Sequence, residues 1–223
     1  MADLLQDEPV DVEVTDSQTV FEGRVWNIRR DEVRYNGAPM VREYMDHTGA
    51  VAVLALDEHD RVLLIQQYRH PVRMREWEIP AGLLDVAEEQ PLRAAERELA
   101  EEADLVAEHW SVLADFATSP GGSDETIRIY LARGLSAADE VFERTEEEAD
   151  IETRWVALDE AMDAVLARRV QNPSLVIGVL TCHAARSRGW QTLAPGDAPW
   201  PARSRPVGAG AHGANGRDGD AGA

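Results

Sequence analysis

Five charged side chains, Glu89, Arg97, Glu98, Glu101 and Glu102, fall within one short stretch, with the carboxylates at spacings that could hold a cation. Glu98 and Glu102 stand four residues apart. On a helix their carboxylates would overhang one turn, where like charges repel unless a cation sits between them. Oxygen-only donors of this kind suit Mg²⁺ or Mn²⁺ rather than zinc, because hard cations prefer carboxylate and water. The plain alternative is an acidic helix face that is simply solvated.

The element that must position these groups is legible. Pro91 suits a first helical turn, and Leu92 to Asp104 contain neither Gly nor Pro, so Pro91 to Ala103 reads as one helix. With Glu98 at zero and steps of about 100° per residue, Glu102 falls near 40° and Glu101 near −60°, while Ala95, Leu99, Leu92 and Ala103 fall between about 60° and 140°. An acidic face therefore lies beside a buried one.

Gly82, Glu89 and the run Arg97-Glu98-Leu99-Ala100-Glu101-Glu102 resemble the Nudix box: a Gly, a Glu, then seven residues to Arg-Glu-apolar-x-Glu-Glu-x-Gly-apolar. Glu89 and Arg97 keep the box spacing. The interval from Gly82 to Glu89 is one residue longer than usual, and Asp104 stands where the box has its last Gly. The longer interval falls in a turn and leaves the helical ligands in register. Asp104 would have to adopt the left-handed conformation that follows the helix, at a penalty of about 1 kcal/mol.

Composition narrows the classes. A chain of 223 residues can bury one sizeable core, so one catalytic domain with tails is the economical arrangement. The net charge of −20 argues against duplex nucleic acid or an anionic membrane as partner, since both require a basic footprint. All 22 basic residues are Arg, which removes Schiff-base lysines and a P-loop lysine from consideration. The single Cys182 lies in an apolar run and reads as a buried thiol, with His183 beside it structural. No long apolar run or secretory signal is evident, and a cytoplasmic location is expected.

In chain order, residues 1–17 are acidic and polar and read as a mobile arm. Residues 18–48 alternate apolar and polar, with Asn36-Gly37 as a turn signal, and read as antiparallel strands. Ala50 to Leu56 and Val62 to Gln67 are apolar runs expected as central strands. Trp110 to Ala117 and Thr126 to Ala132 read as strands, Ser136 to Asp150 as a loop, and Ile151 to Leu158 as a last strand. Asp159 to Arg169 and Pro173 to Ser187 read as helices. Residues 190–223 lack periodicity and read as a disordered tail.

The resemblance implies an α+β fold: a Nudix-type α/β/α sandwich with a mixed β-sheet over residues 49–189, preceded by a small antiparallel N-terminal β layer. In members that act on ADP-ribose, this layer exchanges with a second subunit, which implies a homodimer. The implied metal ligands are Glu98, Glu101, Glu102 and the Ala81 carbonyl, holding Mg²⁺ with Mn²⁺ as the alternative. Arg97 is expected to orient the box glutamates, and Glu89 is ligand or support. Arg24, Trp26 and Glu43 stand where that group contacts the adenine side, although interface packing and strand surface account for them equally. Arg69, in a Gln-x-Arg pattern, would meet substrate phosphate, with a rim ion pair as the alternative. Gly121 lies in a Pro-Gly turn that would shape the pocket for the terminal ribose. The general base would be Glu147, with Glu146 and Glu148 as neighbours.

The reaction so implied is metal-dependent hydrolysis of ADP-ribose to AMP and ribose 5-phosphate. Two alternatives share the residues: a hydrolase of other nucleotide sugars or dinucleotides, and a catalytically silent nucleotide-binding module.

Overall fold

The computed structural model describes residues 5–139 and 151–203. The chain divides into two compact units. Of the described residues, one holds those up to His47 together with Ser119–Asp124; the other holds Thr48–Thr118 and those from Glu125 to Arg203.

The first unit is a three-stranded antiparallel sheet in the order β1-β2-β3, made of β1 (Glu13–Glu22), β2 (Asn27–Tyr35) and β3 (Ala38–Asp46). Asn36 and Gly37 both have positive φ, 50° and 78°, which is what a two-residue hairpin turn between twisted strands requires. Ser119–Asp124 returns to β3, with Met45 N–H donating to the Gly122 carbonyl at 2.9 Å. β1 begins inside the stretch expected to be a mobile arm. Its acidic residues do not prevent pairing, because β2 meets them with opposite charge and backbone partners: Arg34 lies 3.5 Å from Glu13, and Thr15 Oγ1 donates to the Glu32 carbonyl at 3.0 Å. The layer keeps Val14, Val20 and Phe21 exposed.

The second unit is built on a five-stranded mixed sheet ordered β11-β8-β9-β4-β7. Its members are β4 (Ala50–Ala55), β7 (Ala81–Leu83), β8 (Leu105–Ala117), β9 (Thr126–Ala137) and β11 (Ala194–Pro195). Only the β4–β9 pairing is parallel. Every residue of β4 is buried, as expected of a strand covered on both faces. Strand alternation divides its side chains. Val51, Val53 and Ala55 pack with Ala94, Ala95 and Leu99 of helix α1 (Pro91–Ala103). Ala52 and Leu54 pack with Leu158 and Ala161 of α2 (Leu158–Leu166) and with Leu175, Val179 and Cys182 of α3 (Pro173–Ser187). This is the α/β/α sandwich. A second antiparallel sheet, β10-β5-β6, is formed by β5 (Arg61–Arg69), β6 (Met74–Glu78) and β10 (Glu152–Ala157).

Residues 190–203, expected as part of a disordered tail, are held within the second unit. Trp200 is buried against the α1 side of the core, and Arg128 donates to the carbonyls of Ala198 at 2.6 Å and Pro199 at 3.0 Å. Isolated aromatic anchors and a buried guanidinium hold this segment, and neither produces a periodic pattern. Among the described residues, no helix is long and apolar enough to cross a membrane.

Helix α1 ends as the box requires. Asp104 is left-handed at φ 54°, ψ 35°, and its N–H caps the Ala100 carbonyl. Asp104→Gly relieves the Cβ strain and is expected to raise stability by about 1 kcal/mol, roughly 2–4 °C of Tm, measurable by thermal unfolding.

Candidate active site

Helix α1 is seated by its apolar stripe. Burying Leu99 alone contributes about 2 kcal/mol, and this seating turns the neighbouring acidic face toward β7. Glu102 is buried there and its Oε2 accepts the Ala81 N–H at 2.9 Å. The Glu98 carboxylate lies directly over Gly82, so that a Cβ built on that glycine would stand 2.0 Å from it. Gly82 is therefore a glycine for close approach rather than for turn geometry. Gly82→Ala is expected to fold, because the clashing atoms end a flexible side chain. It should nevertheless displace the Glu98 carboxylate and cost turnover, which steady-state rates beside a thermal melt would separate.

Arg97 gathers the remaining carboxylates. Its Nε and one terminal nitrogen donate to Glu89 at 3.1 and 3.0 Å, and its other terminal nitrogen donates to Glu98 at 2.5 Å and Glu101 at 3.1 Å. These bonds, those to Glu89 foremost, hold the guanidinium well above its already high ordinary pKa. Arg97 thus bonds to Glu98 and Glu101 on its own helix and to Glu89 in the turn before it. The extra residue between Gly82 and Glu89 is absorbed in the turn, where Glu88 takes φ 64°.

The donors fit a hard divalent cation in type: carboxylate oxygens of Glu98, Glu101 and Glu102 on one helix, pressed against the backbone at Ala81 and Gly82. Among the described residues, no three His, Cys, Asp or Glu side chains stand close enough together to enclose an ion. Glu98 and Glu101 are turned to Arg97, and Glu102 to the Ala81 N–H.

Arg69, at the end of β5, forms two parallel hydrogen bonds with Glu78 of β6 at 2.7 and 2.8 Å. The first unit carries the other expected residues. Arg24 is exposed on a bend. Trp26 stacks on His47 with ring centroids 4.1 Å apart and planes inclined by 17°. Glu43 accepts from Arg30 Nε at 2.8 Å across β2 and β3, and both side chains are about half exposed. Gly121 lies in the turn before Ser123, with nothing within 4 Å of a built Cβ. Glu147, with Glu146 and Glu148, lies outside the described residues.

Two partners of these residues, His47 on Trp26 and Glu78 on Arg69, were not visible as such in the sequence. His47 gave no signal beyond being a histidine. Glu78 did give one, as the acidic residue directly before the apolar Ile79-Pro80-Ala81.

The NUDIX domain matches residues 46–175. An ADP-ribose pyrophosphatase of Mycobacterium tuberculosis (strain ATCC 25618 / H37Rv) is 43% identical over 191 residues, covering 85% of this chain and 91% of that protein. A methanol dehydrogenase activator of Bacillus methanolicus is 37% identical, with 73% and 88% covered. An ADP-ribose pyrophosphatase of Bacillus subtilis (strain 168) is also 37% identical, with 69% and 82% covered. Among solved structures, an ADP compounds hydrolase shares the fold with a TM-score of 0.67 at 21% identity, over 82% of this chain and 99% of that one. Nudix hydrolases generally use divalent metal ions. The box residues meet where α1 faces β7, and the domain match spans more than half of the chain: the chain belongs to the Nudix hydrolase family.

Proposed function

We propose that this protein hydrolyses the pyrophosphate bond of ADP-ribose to AMP and ribose 5-phosphate, with Mg²⁺ as the divalent ion. The observation that carries the reading is the Arg97-centred carboxylate cluster pressed against Ala81 and Gly82. The choice of substrate is supported by the two ADP-ribose pyrophosphatase relatives.

Glu98, Glu101 and Glu102, with the Ala81 carbonyl, would hold the ion. Bound there, it would neutralise diphosphate charge and lower the pKa of water from its bulk value of about 15.7. Arg97 keeps Glu98 and Glu101 in register while the site waits for substrate. Arg69 presents a guanidinium to the diphosphate. The resemblance assigns the adenine side to Arg24, Trp26 and Glu43, and the pocket for the terminal ribose to the turn at Gly121. Water oxygen attacks phosphorus, the bridging P–O bond breaks, and the proton of the water passes to a carboxylate. The resemblance assigns that task to Glu147. The exposed Val14, Val20 and Phe21 of the N-terminal layer support a homodimer, since apolar side chains on such a layer gain by being covered.

The substrate is tested by kcat/KM across ADP-ribose, other nucleotide sugars and dinucleotides. Preference for ADP-ribose supports the reading. Equal or better turnover of another member would reassign the substrate and leave the bond cleaved unchanged.

A further inference from the structure

β5 and β6 pair with Ile65 opposite Glu78, Gln67 opposite Glu76 and Arg69 opposite Met74, so these six side chains share one face. Most of a sandwich interior is apolar, yet this face carries a buried Gln67 and a Glu78 that is only 2% exposed. A carboxylate at that depth carries a large desolvation penalty, offset only by a cation held in good geometry. Arg69 supplies it through the two bonds to Glu78, while 41% of its own side chain reaches solvent. For stability alone a packed apolar pair would serve as well. The pair has instead a buried end and a rim end, the arrangement of an anchor that sets where a guanidinium stands.

The anchor is tied to the carboxylate cluster by the shortest stretch of chain. Glu78 is followed by Ile79, fully buried, and by Pro80, whose carbonyl accepts the Val53 N–H at 2.7 Å. Next comes Ala81, whose N–H donates to Glu102. The guanidinium of Arg69 and the carboxylate of Glu102 are thus referenced to one pinned run of backbone. We propose that Glu78 is a positioning residue, which fixes the plane of the Arg69 guanidinium so that it meets the diphosphate of the substrate at a set distance from the box carboxylates. This rests on the reading of Arg69 given above. Glu76, two residues before Glu78, is a poor competitor for the same fork: burial first, and then Glu78, raise its carboxyl pKa, with Arg69 opposing.

The test compares wild type, Arg69→Gln, Glu78→Gln and the double variant in the full chain. Kd for ADP-ribose is measured by calorimetry in EDTA, and KM and kcat with Mg²⁺. Each single variant is expected to raise Kd and KM by roughly 10- to 100-fold with kcat within about threefold, the pattern of lost binding rather than lost chemistry. The double variant should be no worse than Arg69→Gln within about threefold, because Glu78 acts through Arg69. Glu78→Gln that lowers Tm while leaving Kd and KM unchanged overturns the proposal, as do effects that multiply in the double variant. Should Glu78→Gln not fold, Glu78→Asp keeps the charge and shortens the reach. It should raise Kd in the wild-type background and not in Arg69→Gln, and the absence of that contrast overturns the proposal. Kd changes as expected without AMP release from wild type would contradict the activity and leave Glu78's role standing. A wild type that does not bind ADP-ribose overturns both.

Discussion

Glu98→Gln and Glu102→Gln are each expected to lower kcat/KM for ADP-ribose at least 100-fold at saturating Mg²⁺, a loss of about 2.7 kcal/mol in transition-state stabilisation. Gln keeps the shape of Glu, so the place over Gly82 stays filled and the loss reports charge. Glu102 is buried, and its amide replacement still offers an oxygen to the Ala81 N–H, so the backbone there need not move. Glu101 is 36% exposed and accepts from the same Arg97 nitrogen as Glu98, so Glu101→Gln, which removes an assisting ligand, should cost nearer the roughly 10-fold typical of supporting groups. Steady-state kinetics with a metal titration separates these outcomes. Near-normal turnover of Glu98→Gln or Glu102→Gln would contradict the site described above.

Arg128→Leu is expected to produce the largest loss of stability. Arg128 is 3% exposed and forms a two-bond pair with Asp115 at 2.8 Å on each arm. It also holds the Ala198 and Pro199 carbonyls and lies 4.8 Å from the centroid of the Trp200 ring. Removing it leaves Asp115 without its cation and frees the segment that carries Trp200. A buried pair broken in this way costs about 3–5 kcal/mol, and the partial exposure of Asp115 places the expectation near 3. For a chain of this size that is roughly 6–12 °C in Tm. Thermal or urea unfolding measures it, and a Tm within about 2 °C of wild type would show that residues 190–203 are not held through Arg128.

The sequence was most legible where one physical signal dominated. Pro91 and the unbroken helical run placed both ends of α1, and Asp104 took the left-handed conformation its box position required. β4 was readable because a strand covered on both faces must be apolar throughout. The signal failed where structure rests on a few specific anchors. Residues 190–203 look like a tail by composition, yet a buried Trp200 and two carbonyls held by Arg128 anchor them to the core. β1 looks like a solvated acidic arm until its cross-strand partners are known. In the site, spacing put Glu98, Glu101, Glu102 and Arg97 together, but it could not reveal that Gly82 exists to admit Glu98, or that Arg69 is held by Glu78. Those facts belong to contacts between distant elements.

Metal-assisted cleavage of the ADP-ribose pyrophosphate at the α1 carboxylates is tested by AMP released from ADP-ribose by purified protein, with Mg²⁺ and with EDTA, beside Glu98→Gln. Stoichiometric AMP and ribose 5-phosphate are expected with Mg²⁺, none with EDTA, and at least a 100-fold slower release by the variant. Binding of ADP-ribose without release of AMP, or release that persists undiminished in EDTA or in Glu98→Gln, would contradict metal-assisted cleavage there.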